Sequence, residues 1–124
     1  MQYDEFITKV AERAGTRQKQ AEALTRATLQ TLGERVTGGE AQDLAAQLPQ
    51  PLKAAVPQRP TGTAEPFDLN EFERRVAERA GVAEGEDEAG IRAVFQTLRE
   101  AVSPGEFDDV LAQLPADVRS LAAA

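Results

Sequence analysis

A chain of 124 residues with 41% hydrophobic side chains, five Phe, one Tyr and no Trp has room for one compact domain, with a core left mostly to Leu, Val, Ala and Phe. The absence of Cys and His excludes disulfides and thiolate chemistry and removes the commonest general base and metal ligand. With a net charge of −7, only short apolar runs and no basic-then-apolar leader, the expected setting is cytoplasmic, without nucleic acid or membrane as partner.

In chain order, Tyr3, Phe6, Val10 and Ala14 follow the three-and-four spacing of an amphipathic helix, and Gly15 stops it. Arg13 in its last turn complements the helix dipole. A second helix is predicted from about Gln18 to Arg35, burying Thr25, Thr28, Leu29, Leu32 and Val36. The third starts at a capping box, Thr37 with Glu40, and buries Ala41, Leu44, Ala45 and Leu48. Pro49 either ends it or restarts the chain as a short helix carrying Leu52 and Val56. Residues 57–67 contain three prolines and no periodicity, and read as a semi-extended linker. At ~3 Å per residue it reaches about 30 Å, enough to place the second half of the chain in either orientation.

The chain then repeats itself. VAERAG at Val10–Gly15 returns at Val76–Gly81, QTL at Gln30–Leu32 returns at Gln96–Leu98, and AQLP at Ala46–Pro49 returns at Ala112–Pro115, each 66 residues on. Pairing Tyr3–Val56 with Leu69–Ala122 gives 24 identities in 54 positions without a gap, which marks a duplicated unit. The second copy opens on Asp68 and Glu71 as a capping box, with Phe67 and Phe72 placed for a hydrophobic staple, and carries Leu69, Phe72, Val76 and Ala80 inward before Gly81. Its second helix is predicted from about Asp87 to Ala101, with Ile91, Val94, Phe95, Leu98 and Val102 buried. Its third begins at Ser103, Pro104 and Glu106, buries Phe107, Val110, Leu111 and Leu114, and meets Pro115 before Val118 and Leu121. The expected fold is therefore all-α: a tandem repeat of two pseudo-symmetric three-to-four-helix units, 1–56 and 68–124, packed as a helical bundle.

Most repeated signatures have a sufficient local cause as helix starts, stops and buried faces. The recurring polar residues do not. Gln47 and Gln113, Gln30 and Gln96, and Arg26 and Arg92 recur in register, either as hydrogen bonds to helix ends and solvated faces or as a shared polar pocket.

The copies diverge in charge. Residues 1–56 hold seven acids and seven bases, whereas 68–124 hold thirteen acids and six bases. The run Glu84, Glu86, Asp87 and Glu88 lacks the alternating oxygen ligands, central Gly and terminal Glu of a calcium loop, and reads as a solvated helix start with no metal. Arg17 and Lys19 instead put positive charge near the positive end of the second helix, against the dipole preference. The functional reading is that this basic end faces an acidic partner, such as the Glu84–Glu88 segment of a second molecule.

No phosphate loop or cofactor motif is present, and Ser103 and Ser120 have no His to activate them. Glu12, Glu34, Glu78 and Glu100 are read as solvated rather than as magnesium ligands, so no catalytic residue is assigned.

A phenylalanine-containing first helix, a helix of the form RAVFQTLRE, and SPGEFDDVLAQLP resemble the bacterial family catalogued as domain of unknown function 2267. QLP after a capped acidic and apolar helix, at Gln47–Pro49 and Gln113–Pro115, is its most specific part. The resemblance covers nearly the whole chain and implies a small all-helical protein, without implying an activity. The family pattern often continues after QLP into an aromatic, glycine and tryptophan segment, where this chain has AVPQRP at Ala55–Pro60.

The sequence thus points to a non-enzymatic interaction module that binds a protein partner or itself through Arg17, Lys19, Glu84, Glu86, Asp87 and Glu88. The alternative is a small-molecule or anion binder in the cleft between the repeats, with Arg13, Arg26, Arg79, Arg92, Gln47 and Gln113 as ligands.

Overall fold

A computed structural model describes residues 1–59 and 62–123. Its helices are α1 (Tyr3–Ala14), α2 (Gln18–Arg35), α3 (Gly38–Ala46), α4 (Gln50–Lys53), α5 (Leu69–Ala80), α6 (Asp87–Ala101), α7 (Pro104–Ala112) and α8 (Ala116–Arg119), followed by a 3-10 turn, Ser120–Ala122. No strand occurs among the described residues.

Local chemistry sets the helix ends. Gly15 and Gly81 take φ of 67° and 69°, the left-handed conformation, and their N–H groups return to the carbonyls of Ala11 and Ala77. The side chains of Thr37, Asp68 and Ser103 each accept the N–H three residues on. The staple forms, with Phe67 and Phe72 ring centroids 6.3 Å apart. Pro49 and Pro115 restart the chain, opening α4 and α8.

α6 begins at Asp87 as expected, but the acidic run does not all fall in its first turn. Glu84 and Glu86 lie in a turn ahead of the helix, closed by the Glu86 N–H on the Ala83 carbonyl, with Gly85 at φ 97°. Only Asp87 and Glu88 occupy the first helical turn, so α6 has 15 residues where α2 has 18.

The four long helices exchange partners. α5 packs chiefly on α2, and α1 packs on α6 as well as on its chain neighbour α2. One continuous core results, in which Phe6, Phe72 and Phe95 are fully buried together with Leu24, Leu32, Ile91 and Leu98. All the second-helix residues expected inside, from Thr25 to Val36 and from Ile91 to Val102, are buried. Where α2 crosses α6, the methyls of Leu24 fill the place of a side chain at Gly90: a Cβ there would lie 2.7 Å from them.

The connecting segment is tied down. The Gly38 N–H donates to the Gly62 carbonyl at 2.8 Å, the Glu65 N–H to the Glu34 carbonyl at 2.9 Å, and Arg35 Nε to the Phe67 carbonyl at 2.8 Å. Arg59 reaches the carbonyls of Gly33 and Val36 at the end of α2. The Arg75 guanidinium covers the Phe67 ring 4.1 Å from its centroid. No described helix is long and apolar enough to cross a membrane.

Candidate functional site

Two of the four arginines considered as ligands, Arg13 and Arg79, are engaged in matching ways. On α1, Arg13 donates to Thr97 Oγ1 at 3.0 Å and to Glu100 at 2.6 Å, both on α6. On α5, Arg79 donates to Thr31 Oγ1 at 3.0 Å and to Glu34 at 2.8 Å, both on α2. Lys9 joins the first set through Glu100, and Arg75 the second through Glu34. Burial pushes the Glu34 carboxyl up, but the hydrogen bonds from Arg79 and Arg75 outweigh it and hold the group below its ordinary value. Arg13 and Lys9 likewise hold Glu100 down. Glu34 and Glu100, expected as solvated, are thus the acceptors that fasten α5 to α2 and α1 to α6.

The glutamines of QLP are engaged at helix starts. Gln47 Oε1 accepts the Ser103 N–H at 2.7 Å while its Nε2 donates to Ser103 Oγ at 3.3 Å. Gln113 Oε1 accepts the Thr37 N–H at 2.8 Å while its Nε2 donates to Thr37 Oγ1 at 3.4 Å. Each glutamine therefore caps a helix far from it in sequence. Of the remaining candidates for the cleft, Arg92 pairs with Glu88 at 3.5 Å, and exposed Arg26 borders a shallow groove with Gln30, Ala54, Ala55 and Pro57.

Arg17, Lys19 and Glu86 line one groove of about 490 Å³, together with Gln20, Ala23 and residues Ala80–Ala83. All three charged residues are exposed, and none has an ion-pair partner among the described residues. Glu84 stands on an adjoining groove with Glu73 and Arg74. Burial first, then the charges of Asp87 and Glu88, push the Glu73 carboxyl up. Asp87 departs from the exposed set: it is 2% exposed, and its Oδ1 accepts the Gly85 N–H at 3.0 Å. It shapes the turn rather than facing solvent.

A further group escaped sequence reasoning. Glu40 on α3 and Glu106 and Asp109 on α7 bring carboxylate oxygens within 4.8 Å of one another. Burial, then the neighbouring Glu40, Asp43 and Asp109 carboxyls, push Glu106 well above the usual carboxylate range.

The family model described as uncharacterized conserved protein (DUF2267) matches residues 3–121. The chain belongs to the DUF2267 family. A comparison with curated proteins finds no match.

Within this DUF2267 chain, the signal for the acidic group was present but ambiguous. Glu40, Asp43, Glu106 and Asp109 recur in register, yet a glutamate three residues past Thr or Ser reads as half of a capping box. Here the glutamines have taken the N–H groups that those glutamates would cap, which leaves both carboxylates for another use.

Proposed function

We propose that this DUF2267 chain is a non-enzymatic interaction module made of two pseudo-symmetric helical repeats, residues 1–56 and 68–124 joined by 57–67, and that its partner is a second copy of itself. The repeat reading is supported by paired contacts whose corresponding members lie 66 residues apart: Arg13 on Thr97 and Glu100 against Arg79 on Thr31 and Glu34, and Gln47 on Ser103 against Gln113 on Thr37. Leu24 meets Gly90, and Glu40 meets Glu106, each residue facing its own counterpart as residues beside a two-fold axis do.

The observation that carries the interaction reading is the groove lined by Arg17, Lys19 and Glu86, whose charges are unpaired and exposed. Met1 is the sole large hydrophobic exposed among the described residues, so association would rest on charge and fade with salt. A two-fold arrangement of two copies would set Arg17 and Lys19 of each against Glu84, Glu86 and Glu88 of the other, satisfying both rims at once. The hydroxyls of Ser103 and Ser120 are spent on the Glu106 N–H and the Asp117 carbonyl, which fits a role without nucleophilic catalysis. A cytoplasmic setting suits the cysteine-free composition.

The cleft reading has less support, because Arg13, Arg79, Gln47 and Gln113 already have internal partners. Sedimentation of the wild-type chain and of the R17E/K19E double variant in low salt tests the proposal. Association in the wild type that is lost in the variant supports it, and an unchanged profile overturns it.

A further inference from the structure

Among the described residues, no Lys or Arg pairs with the carboxylates between α3 and α7. Glu40 and Glu106 each occupy the third position of their helix, and each would normally turn back to the N–H of its own capping residue. That N–H is already held by Gln113 in one case and Gln47 in the other. The glutamates instead face each other. Glu106 is 7% exposed, and among the described residues its buried Oε2 and the buried Glu40 Oε2 have no hydrogen-bond partner beyond each other. Asp109 adds a third oxygen within the same 4.8 Å and lies at the solvent edge. No Lys or Arg forms an ion pair with Glu40, Asp43, Glu106 or Asp109 among the described residues.

Two ionised carboxylates with inward-facing, unpartnered oxygens repel each other unless a proton or a cation stands between them. A donor set of carboxylate oxygens alone selects hard cations over zinc or copper. Three protein carboxylates in one set favour calcium, because magnesium is usually held by one or two carboxylates and keeps most of its waters. We propose that Glu40, Glu106 and Asp109 form a calcium site in which the ion fastens α3 to α7, with water completing its coordination through the open Asp109 side. Bound there, the ion would take the place of the proton that the Glu40–Glu106 pair holds without it, and would join the two halves of the chain.

The proposal is tested by titrating CaCl2 into the metal-free full-length protein at pH 7.5, by calorimetry and by thermal unfolding. The expected result is one ion per chain with a dissociation constant below about 1 mM, and a rise in Tm on binding. Glu106→Gln and Glu40→Gln should each weaken binding by about tenfold or more, since each removes one anionic ligand. Asp108→Asn, which alters an exposed carboxylate of α7 outside the group, should bind as the wild type does. Glu106→Gln is uncharged, as the protonated acid is, and so keeps the fold intact in the absence of metal. No heat and no change in Tm with the wild type would overturn the site, as would undiminished binding in Glu106→Gln. A Glu106 that titrates with pH while the wild type ignores calcium would mark the pair as a shared-proton contact and also overturn it. This outcome is independent of self-association, which is read separately by sedimentation of the R17E/K19E variant.

Discussion

Leu24 on α2 occupies the space that a side chain at Gly90 on α6 would need, with its terminal methyls 2.7 Å from where that Cβ would stand. The two positions lie 66 residues apart, the spacing at which VAERAG and AQLP recur, and one large and one absent side chain share a single site at the crossing of the two helices. Gly90→Leu should overpack this crossing and destabilise the protein by about 1–3 kcal/mol. Leu24→Gly should cost more, by opening a cavity. The exchange variant L24G/G90L should recover a large part of the summed loss, with a coupling of about 1 kcal/mol or more in a double-mutant cycle. Urea unfolding midpoints of the four proteins measure it, and strict additivity would argue against a shared site.

Gly38 and Pro104 also correspond, and their difference has a spatial cause. The connecting segment crosses α3, so that a Cβ at Gly38 would fall 1.4 Å from the Arg59 carbonyl oxygen, while the Gly38 N–H donates to Gly62. Gly38→Pro, which places there the residue found 66 positions on, removes that donor and inserts a ring where the segment runs. A loss of about 2–4 kcal/mol is expected in chemical denaturation. Pro104→Gly, at an exposed first-turn position, should cost less than about 1 kcal/mol.

Gln47→Ala and Gln113→Ala each strip a helix start of its long-range cap. About 1 kcal/mol per substitution is expected, close to the value of an ordinary N-cap. Because each glutamine contacts a helix at least 56 residues away, the loss should appear in the global unfolding transition, with equilibrium denaturation as the readout. Local fraying of α3 or α7 without a shift of that transition would contradict the role.

Stability should vary with pH in two opposed ways. Glu106 is pushed from its ordinary 4.5 up to about 8 in the folded protein, so across that window the folded state holds a proton that the unfolded chain releases. Its contribution is complete below 4.5 and is lost as pH rises through the folded value. Glu34 and Glu100 have depressed folded values, so their contribution is present above 4.5 and fades as pH falls through the folded value. Unfolding free energy measured from acid to mildly alkaline pH without metal should decline toward pH 8, and Glu106→Gln should flatten that decline.

Helix ends were legible because their causes are local: Gly15 and Gly81 stop a helix wherever it packs, and Thr37, Asp68 and Ser103 start one. The buried face from Ile91 to Val102 followed from periodicity alone. What escaped depends on distant partners. Gln47 looks like any helix-end polar residue until Ser103 is beside it, and Arg13 reads as a dipole partner until Thr97 and Glu100 face it. Residues 57–67 read only as a semi-extended linker because the carbonyls of Gly33, Glu34 and Val36 that receive its donors cannot be foreseen from composition. Asp87 read as one charge of a solvated run, whereas the turn at Gly85 draws it inward.

Mixing complementary charge variants is the decisive experiment for self-recognition. R17E/K19E and E84K/E86K/E88K each destroy one side of the complementary contact, so each alone should sediment as a monomer in low salt. The mixture carries one reversed contact and restores a pair of opposite rims, so it should form a heterodimer that dissociates as salt is raised. Association of either variant alone to the wild-type extent, or a mixture that stays monomeric beside an associating wild type, would contradict self-recognition through Arg17, Lys19 and the Glu84–Glu88 segment.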